Sequence, residues 1–132
     1  MKKRQTNRSD TNANEPRSDD TNFEAWESNP QAQALRVDLQ SGAFFVLPYS
    51  HFALAHFGRD EKGESLRIAF TTHEVRVSGR HLRELGIALQ KLAVEWIREV
   101  PPRYAALAEK GRAFIEHIEV VEIEDEENAP SV

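Results

Sequence analysis

The sequence predicts an α+β fold, in which a mainly antiparallel sheet of five or six strands is packed by one amphipathic helix. Three observations support this fold class. Short runs of alternating apolar and polar residues begin at residue 35, with the period of half-buried strands. Turn-forming residues separate these runs. Between residues 79 and 93, apolar residues instead recur at helical spacing.

The first strand is indicated by the alternation over residues 35–40, which ends in a tight turn at Ser41-Gly42. The chain returns as a second strand from Phe44 to Leu47, in which every residue is apolar. A strand of this composition is typical of one that is covered on both faces, and we expect such coverage here. Pro48 should stop hydrogen bonding on one side of this strand, because proline has no N–H group.

Three further runs continue the meander of hairpins, from Ala53, over residues 66–70 and over residues 75–77. Upstream, Phe23 and Trp26 stand three residues apart, a spacing that suits one helical turn before the first strand.

The main helix is predicted over Gly79–Ala93, with Ser78 as its N-cap. A strand should follow over residues 94–97 and stop before Pro101-Pro102. A second short helix near the C-terminus is predicted within residues 103–112. Phe114–Ile123 is rich in Ile and Val and reads as a last strand, with a bulge where the alternation changes phase.

Composition divides the 132 residues into one domain with two tails. Residues 1–22 contain no Val, Ile, Leu, Phe, Tyr or Trp, so we expect a disordered polar tail. Residues 125–132 should form an acidic disordered tail, which leaves residues 23–124 as a single α+β domain.

The absence of cysteine excludes disulfides, thiolate metal sites and a thiol nucleophile. No apolar run is long enough to span a bilayer, and the basic start has no apolar segment after it. We therefore expect a cytoplasmic protein without membrane partners. The formal net charge is −5 and the central body is close to neutral, so nucleic acid is not an expected partner.

Four motifs in order give the chain a resemblance to a group of short uncharacterised bacterial proteins. They are Leu47-Pro48-Tyr49-Ser50-His51, Thr72-His73-Glu74-Val75-Arg76-Val77, Gly79-Arg80-His81-Leu82 and Trp96-Ile97-Arg98-Glu99. The resemblance covers about residues 35–123, and the group often has Asn where this chain has His81. It implies a single domain. No activity is established for the group, so the resemblance implies no functional residue.

The residue types of catalytic and metal sites are present, but their spacing does not favour such sites. A zinc site needs three or four converging ligands, and the five histidines form no His-x-x-x-His or Glu-x-x-His pair: His51, His56, His73, His81 and His117. Ser50-His51 with Asp38 lacks the Gly-x-Ser-x-Gly turn of a nucleophile elbow. We therefore expect no catalytic residue, no metal and no cofactor.

The candidate binding residues are Arg76, Arg80, His81 and Arg83. They surround the predicted helix N-terminus, where unpaired backbone N–H groups and basic side chains could hold a phosphate or carboxylate. This anion-binding or nucleic-acid-binding role is the alternative interpretation of the chain.

The principal expectation is a small non-catalytic module that binds another protein or a second copy of itself. Phe114–Ile123 is β-prone and close to the chain end, so we expect it to add a strand to the sheet edge of its partner.

Overall fold

The structure is a computed structural model and describes residues 23–123. The two tails expected at residues 1–22 and 125–132 lie outside the described residues. The expected α+β class is confirmed. The strands, however, form two four-stranded sheets rather than a single sheet of five or six strands, so that part of the expectation was wrong.

The described residues contain eight strands and two short α-helices, and both helices lie in the second half of the chain. In chain order, the elements are β1 Trp26–Ser28, β2 Ala34–Asp38, β3 Phe44–Pro48, β4 Phe52–Asp60, β5 Gly63–Phe70, β6 His73–Arg80, α1 Arg83–Gln90, β7 Val94–Arg98, α2 Ala106–Glu109 and β8 Phe114–Glu122. Single 3₁₀ turns stand at Tyr49–His51 and Pro102–Tyr104.

Sheet A has the strand order β1-β7-β2-β3, and sheet B has the order β4-β5-β6-β8. Two features divide the strands in this way. The 3₁₀ turn Tyr49–His51 carries the chain from β3 of sheet A into β4 of sheet B. Later, β7 leaves the hairpin series and inserts between β1 and β2, parallel to β2. The order of strands along the sequence does not reveal that β7 pairs with β1 and β2, which lie far before it in the chain.

One hydrophobic core is shared by both sheets and α1. Alternating residues of each sheet point inward and are completely or almost completely buried: Leu35, Val37 and Ile97 from sheet A, and Leu66, Ile68, Val75 and Val77 from sheet B. Each such side chain contributes about 1.5–3 kcal/mol through burial. The helix adds Leu82, Leu85 and Leu89, as its 3.6-residue spacing predicts.

The main helix begins later than expected, at Arg83, because Ser78 and Gly79 belong to β6. Gly79 pairs with Ile115 of β8, and Glu116 is the extra residue of a bulge beside it. A Cβ atom at position 79 would stand 2.0 Å from the carbonyl oxygen of Phe114. Glycine is therefore needed at this point for close strand pairing.

The short segment with Trp26 is a strand rather than the expected helical turn. It pairs with β7, where Trp26 lies opposite Ile97 and Glu27 opposite Trp96. Cross-strand hydrogen bonding to β7 outweighs the weak helix propensity of so short a segment.

Candidate interaction surface

The four candidate anion-binding residues each contact different groups within the chain. Arg76 lies on the solvent face of sheet B, 2.9 Å from Glu74 and 3.6 Å from Glu119. The guanidinium groups of Arg80 and Arg83 lie over different aromatic rings, those of Phe114 at 5.6 Å and Phe57 at 6.0 Å, respectively.

His81 has φ of +58°, a conformation that Asn and Gly adopt more readily than other residues. Its Nε2 atom lies 2.7 Å from the carbonyl oxygen of Ala108. This hydrogen bond connects the end of β6 to α2, so the contact we observe for this side chain is an intramolecular one.

The N-terminus of α1 already holds a carboxylate of the chain itself. Glu64 of β5 accepts a hydrogen bond from the backbone N–H of Leu82, over 2.7 Å. The negative charge is favourable there because the N-terminal end of a helix carries a partial positive charge. An external anion would have to compete with Glu64 for this position.

The histidines are spread over separate elements. His73 contacts the hydroxyl of Thr72 at 2.8 Å, and His117 lies 3.3 Å from Glu99. Within residues 23–123, no group of three or more His, Asp or Glu side chains is arranged to hold a metal ion.

β8, the strand expected to add to a partner, is an edge strand of sheet B, but its edge is partly occupied. Val100 donates a backbone hydrogen bond to Ile115, and the Glu99 carboxylate accepts one from Ile118 over 2.9 Å. Phe114, Ile115 and Ile118 are also buried in the core, so this segment is an integral part of the fold.

Charged side chains complete the protection of β8. Glu116, Glu119 and Glu122 all project from this strand and are exposed. Charged residues on an edge strand oppose the approach of another strand. β8, which we predicted to add to a partner's sheet, therefore carries several features that oppose strand pairing.

The edge strands β1 and β4 also carry protective features. β1 has only three residues. β4 has an irregular register between Phe52 and Leu54 and ends in the charged pair Arg59-Asp60. Its apolar side chains Ala55 and Phe57 line a groove against α1, of about 220 Å³. Short strands, bulges, charges and covering helices are the usual means by which edges avoid pairing.

β3, the other edge strand of sheet A, is five residues long and ends in a proline, but it has no charged residue and no irregularity in its register with β2. Its sequence is Phe-Phe-Val-Leu-Pro, without a charged residue. Phe44 is 60% exposed and Val46 is 56% exposed. Within residues 23–123 this face of β3 is therefore largely exposed, so the expectation that both faces are covered was wrong.

The backbone of β3 is open at the same two positions. Leu39 donates a hydrogen bond to the carbonyl of Ala43, which directs Ala43 toward β2. Residues of an antiparallel strand alternate between its two sides, so Phe44 and Val46 direct their N–H and C=O groups away from β2. No other described strand pairs with β3 on that side.

The outer face of sheet A continues inward from β3 with aromatic and arginine side chains. Val46 lies opposite Arg36, which lies beside Trp96; Phe44 lies opposite Asp38, which lies beside Arg98. The Arg36 and Asp38 side chains form an ion pair of 3.0 Å. Aromatic residues and arginine are enriched in protein–protein interfaces.

Trp96 reaches this face because β7 has a bulge at Glu95. Glu27 and Ser28 of β1 lie opposite Trp96 and Val94, respectively, which leaves Glu95 as the extra residue. Val94 and Ile97 can then both point into the core while Trp96 faces outward. The guanidinium of Arg98 stacks on the Trp96 ring at 4.7 Å.

A buried hydroxyl fixes the end of β3. Tyr49 follows Pro48 directly and donates a hydrogen bond of 2.6 Å to the carbonyl of Val94 in β7. Burial raises the pKa of the Tyr49 hydroxyl to about 12, so the donor stays protonated at physiological pH.

The open edge of β3, with Phe44, Val46, Arg36 and Trp96, is the candidate interaction surface. The apolar composition of β3 was visible in the sequence, as was the proline that ends it. Pro48 was also a signal of an edge strand, because proline lacks the N–H group that pairing on both sides requires. What the sequence did not indicate was that Phe44 and Val46 stay exposed there.

No family model matches the chain, and comparisons with curated proteins and with solved structures found no significant match. The resemblance to a bacterial group therefore stays a prediction. Within residues 23–123, no helix is long and apolar enough to cross a membrane.

Proposed function

We propose that this chain is a small protein-interaction module that binds its partner at the open edge of β3. The observation that carries this proposal is the coincidence of two features at Phe44 and Val46. Their side chains are exposed, and their backbone groups point away from the rest of sheet A. An incoming strand would satisfy the backbone groups and cover the side chains together.

The tails of the chain are not suited to cover this surface. Residues 1–22 contain no large aliphatic or aromatic residue except Met1, and residues 125–132 contain one, Val132. A partner must supply apolar surface to bury Phe44 and Val46. Each Å² of apolar surface removed from water then stabilises the contact by about 25 cal/mol. A separate chain is the better source of that surface.

Site-specific photo-crosslinking tests the proposal in the full chain. A photoreactive phenylalanine analogue at position 44 should give covalent adducts in the cells that naturally make the protein. Position 54 is the matched control, because Leu54 is 46% exposed but lies on the solvent face of sheet B. Adducts from position 44 alone would support the proposal, and no adducts, or equal adducts from both positions, would overturn it.

The cytoplasmic location and the non-catalytic role expected from the sequence belong to the same proposal. Anion or nucleic-acid binding through Arg76, Arg80, His81 and Arg83 is the alternative. A triple substitution of the arginines by Glu should then remove binding to a short nucleic acid and its dependence on salt. No binding at low salt, or binding that the triple substitution does not alter, would rule the alternative out.

A further inference from the structure

We infer that the strand that adds to β3 is β3 of a second copy, antiparallel to it about a twofold axis. The two copies of sheet A would then form one continuous sheet. This inference rests on the proposed function and names the partner for the same surface.

Hydrogen bonding selects one register for such a pair. If Phe44 lies opposite the partner's Val46, each N–H and C=O group that both residues direct outward finds a counterpart. Phe45 then lies opposite the partner's Phe45 in a non-hydrogen-bonded position. The interface is isologous, as a twofold axis requires.

The neighbouring registers leave groups unpaired. With Phe44 opposite the partner's Phe44, Val46 would face Gly42, whose N–H already donates to Leu39 over 3.0 Å. With Val46 opposite the partner's Val46, Phe44 would face Pro48, which has no N–H to donate. The short strand and its terminal proline therefore favour the first register.

Side chains on the outer face also match in this register. Phe44 lies beside the partner's Val46, so each exposed apolar residue covers the other. Such cross-strand pairs each contribute about 0.2–1 kcal/mol. The strand itself carries no charge, so the approach of an identical strand brings no like charges together.

The charges on β2 are complementary under the same symmetry. Arg36 lies behind Val46 and Asp38 behind Phe44. Each row across the joined sheet would therefore read Arg36, Val46, the partner's Phe44 and the partner's Asp38. Arg36 and Asp38 of each copy already pair with each other at 3.0 Å, so these two rows add little attraction, but this register places no like charges in the same row.

The shortness of β3, at five residues, limits the strength of the dimer. Stable interfaces bury about 1,200–2,000 Å² in total, and weak, transient ones bury less. A single pair of five-residue strands belongs to the second class. We expect a dimer that dissociates at about micromolar concentrations.

Sedimentation of the full chain over a range of concentrations tests the dimer. Wild type should pass from monomer to dimer, and Val46→Lys should raise the dissociation constant at least about tenfold, since an edge lysine opposes strand pairing. Leu54→Lys is the matched control on sheet B and should leave the dissociation constant unchanged. A dimer that both variants leave intact would overturn the inference.

Disulfide trapping tests the register, because the natural chain has no cysteine. A mixture of Phe44→Cys and Val46→Cys chains should form the mixed disulfide faster than either chain alone forms its own. The facing Cα atoms would be about 5.5 Å apart, which a disulfide can span. Equal rates in all three samples would overturn the proposed pairing.

The outcomes separate the two proposals. A chain that stays monomeric but gives adducts with a different protein from position 44 would overturn the second-copy inference and keep the interaction function. A monomer without adducts from position 44 would overturn both.

Discussion

The outer faces of the two sheets are built differently. On sheet B, Arg67 and Arg76 lie opposite each other on β5 and β6, and Glu74 pairs with both, at 3.1 and 2.9 Å. Glu119 of β8 continues this row of charges. On sheet A, the corresponding outer rows end in Val46 and Phe44, both largely exposed.

The difference shows how the same kind of edge can be closed or left open. Edge strand β8 carries acidic side chains and a carboxylate cap from Glu99, whereas β3 carries only apolar residues and a proline. Charged edges resist strand addition and apolar edges permit it. The outer face of sheet B is thus covered with paired charges, whereas that of sheet A leaves apolar side chains exposed at β3.

The largest change in the free energy of unfolding should come from Gly79→Ala, which disrupts sheet B at the bulge of β8. The new Cβ would stand 2.0 Å from Phe114 O, so β6 and β8 must separate. We expect a loss of about 3 kcal/mol or more in the free energy of unfolding, measured in urea.

Gly58→Ala is the matched control for this substitution. A Cβ there would meet Ser65 Oγ at 3.4 Å, an ordinary contact, so the cost should be about 1 kcal/mol or less. Similar losses for both variants would contradict the role that we give to the bulge.

Glu99→Ala should expose part of the protected edge of β8. The carboxylate of Glu99 accepts hydrogen bonds from the N–H groups of Ile118 and Gln40, at 2.9 and 2.8 Å. Its removal should cost about 1–3 kcal/mol and speed hydrogen exchange at both amides. Glu119→Ala, which removes a more exposed carboxylate from the same sheet, should leave exchange at Ile118 and Gln40 unchanged.

Tyr49→Phe should loosen the attachment of β3 to β7. Loss of the hydrogen bond to Val94 should cost about 1 kcal/mol at neutral pH. The folded pKa is raised to about 12 from an ordinary value of 10.0, so its contribution is fully present below pH 10.0 and is lost as pH rises toward 12.

Unfolding measured over this alkaline range should therefore show a fall in stability for wild type that Tyr49→Phe lacks. An equally steep fall in both proteins would mean that other groups cause the alkaline loss.

The smallest effect should come from Phe44→Lys, measured at protein concentrations where the chain is monomeric. An exposed side chain away from the core changes the free energy of unfolding by about 0.5 kcal/mol or less. A loss well above about 1 kcal/mol would show that Phe44 is covered within its own chain, and sheet A would then be no more open than sheet B.

The sequence determined most of the local elements and many residues of the core, although not the strand at Trp26 or the start of the helix. Alternation at Leu35 and Val37, and helical spacing from Leu82 to Leu89, identified side chains that are buried. These assignments succeeded because the periods of strand and helix are local properties of the chain.

Only the tertiary structure decided which strands became neighbours and which became edges. Insertion of β7 beside β2, and the turn that takes the chain out of sheet A after Pro48, leave β3 without a strand on its second side. Pro48 argues against a central position for β3, because it has no N–H group for a second neighbour, but the apolar residues before it are compatible with either position. Coverage of the second face of β3 depends on residues far away in the chain or on another molecule, and no local pattern contains that information.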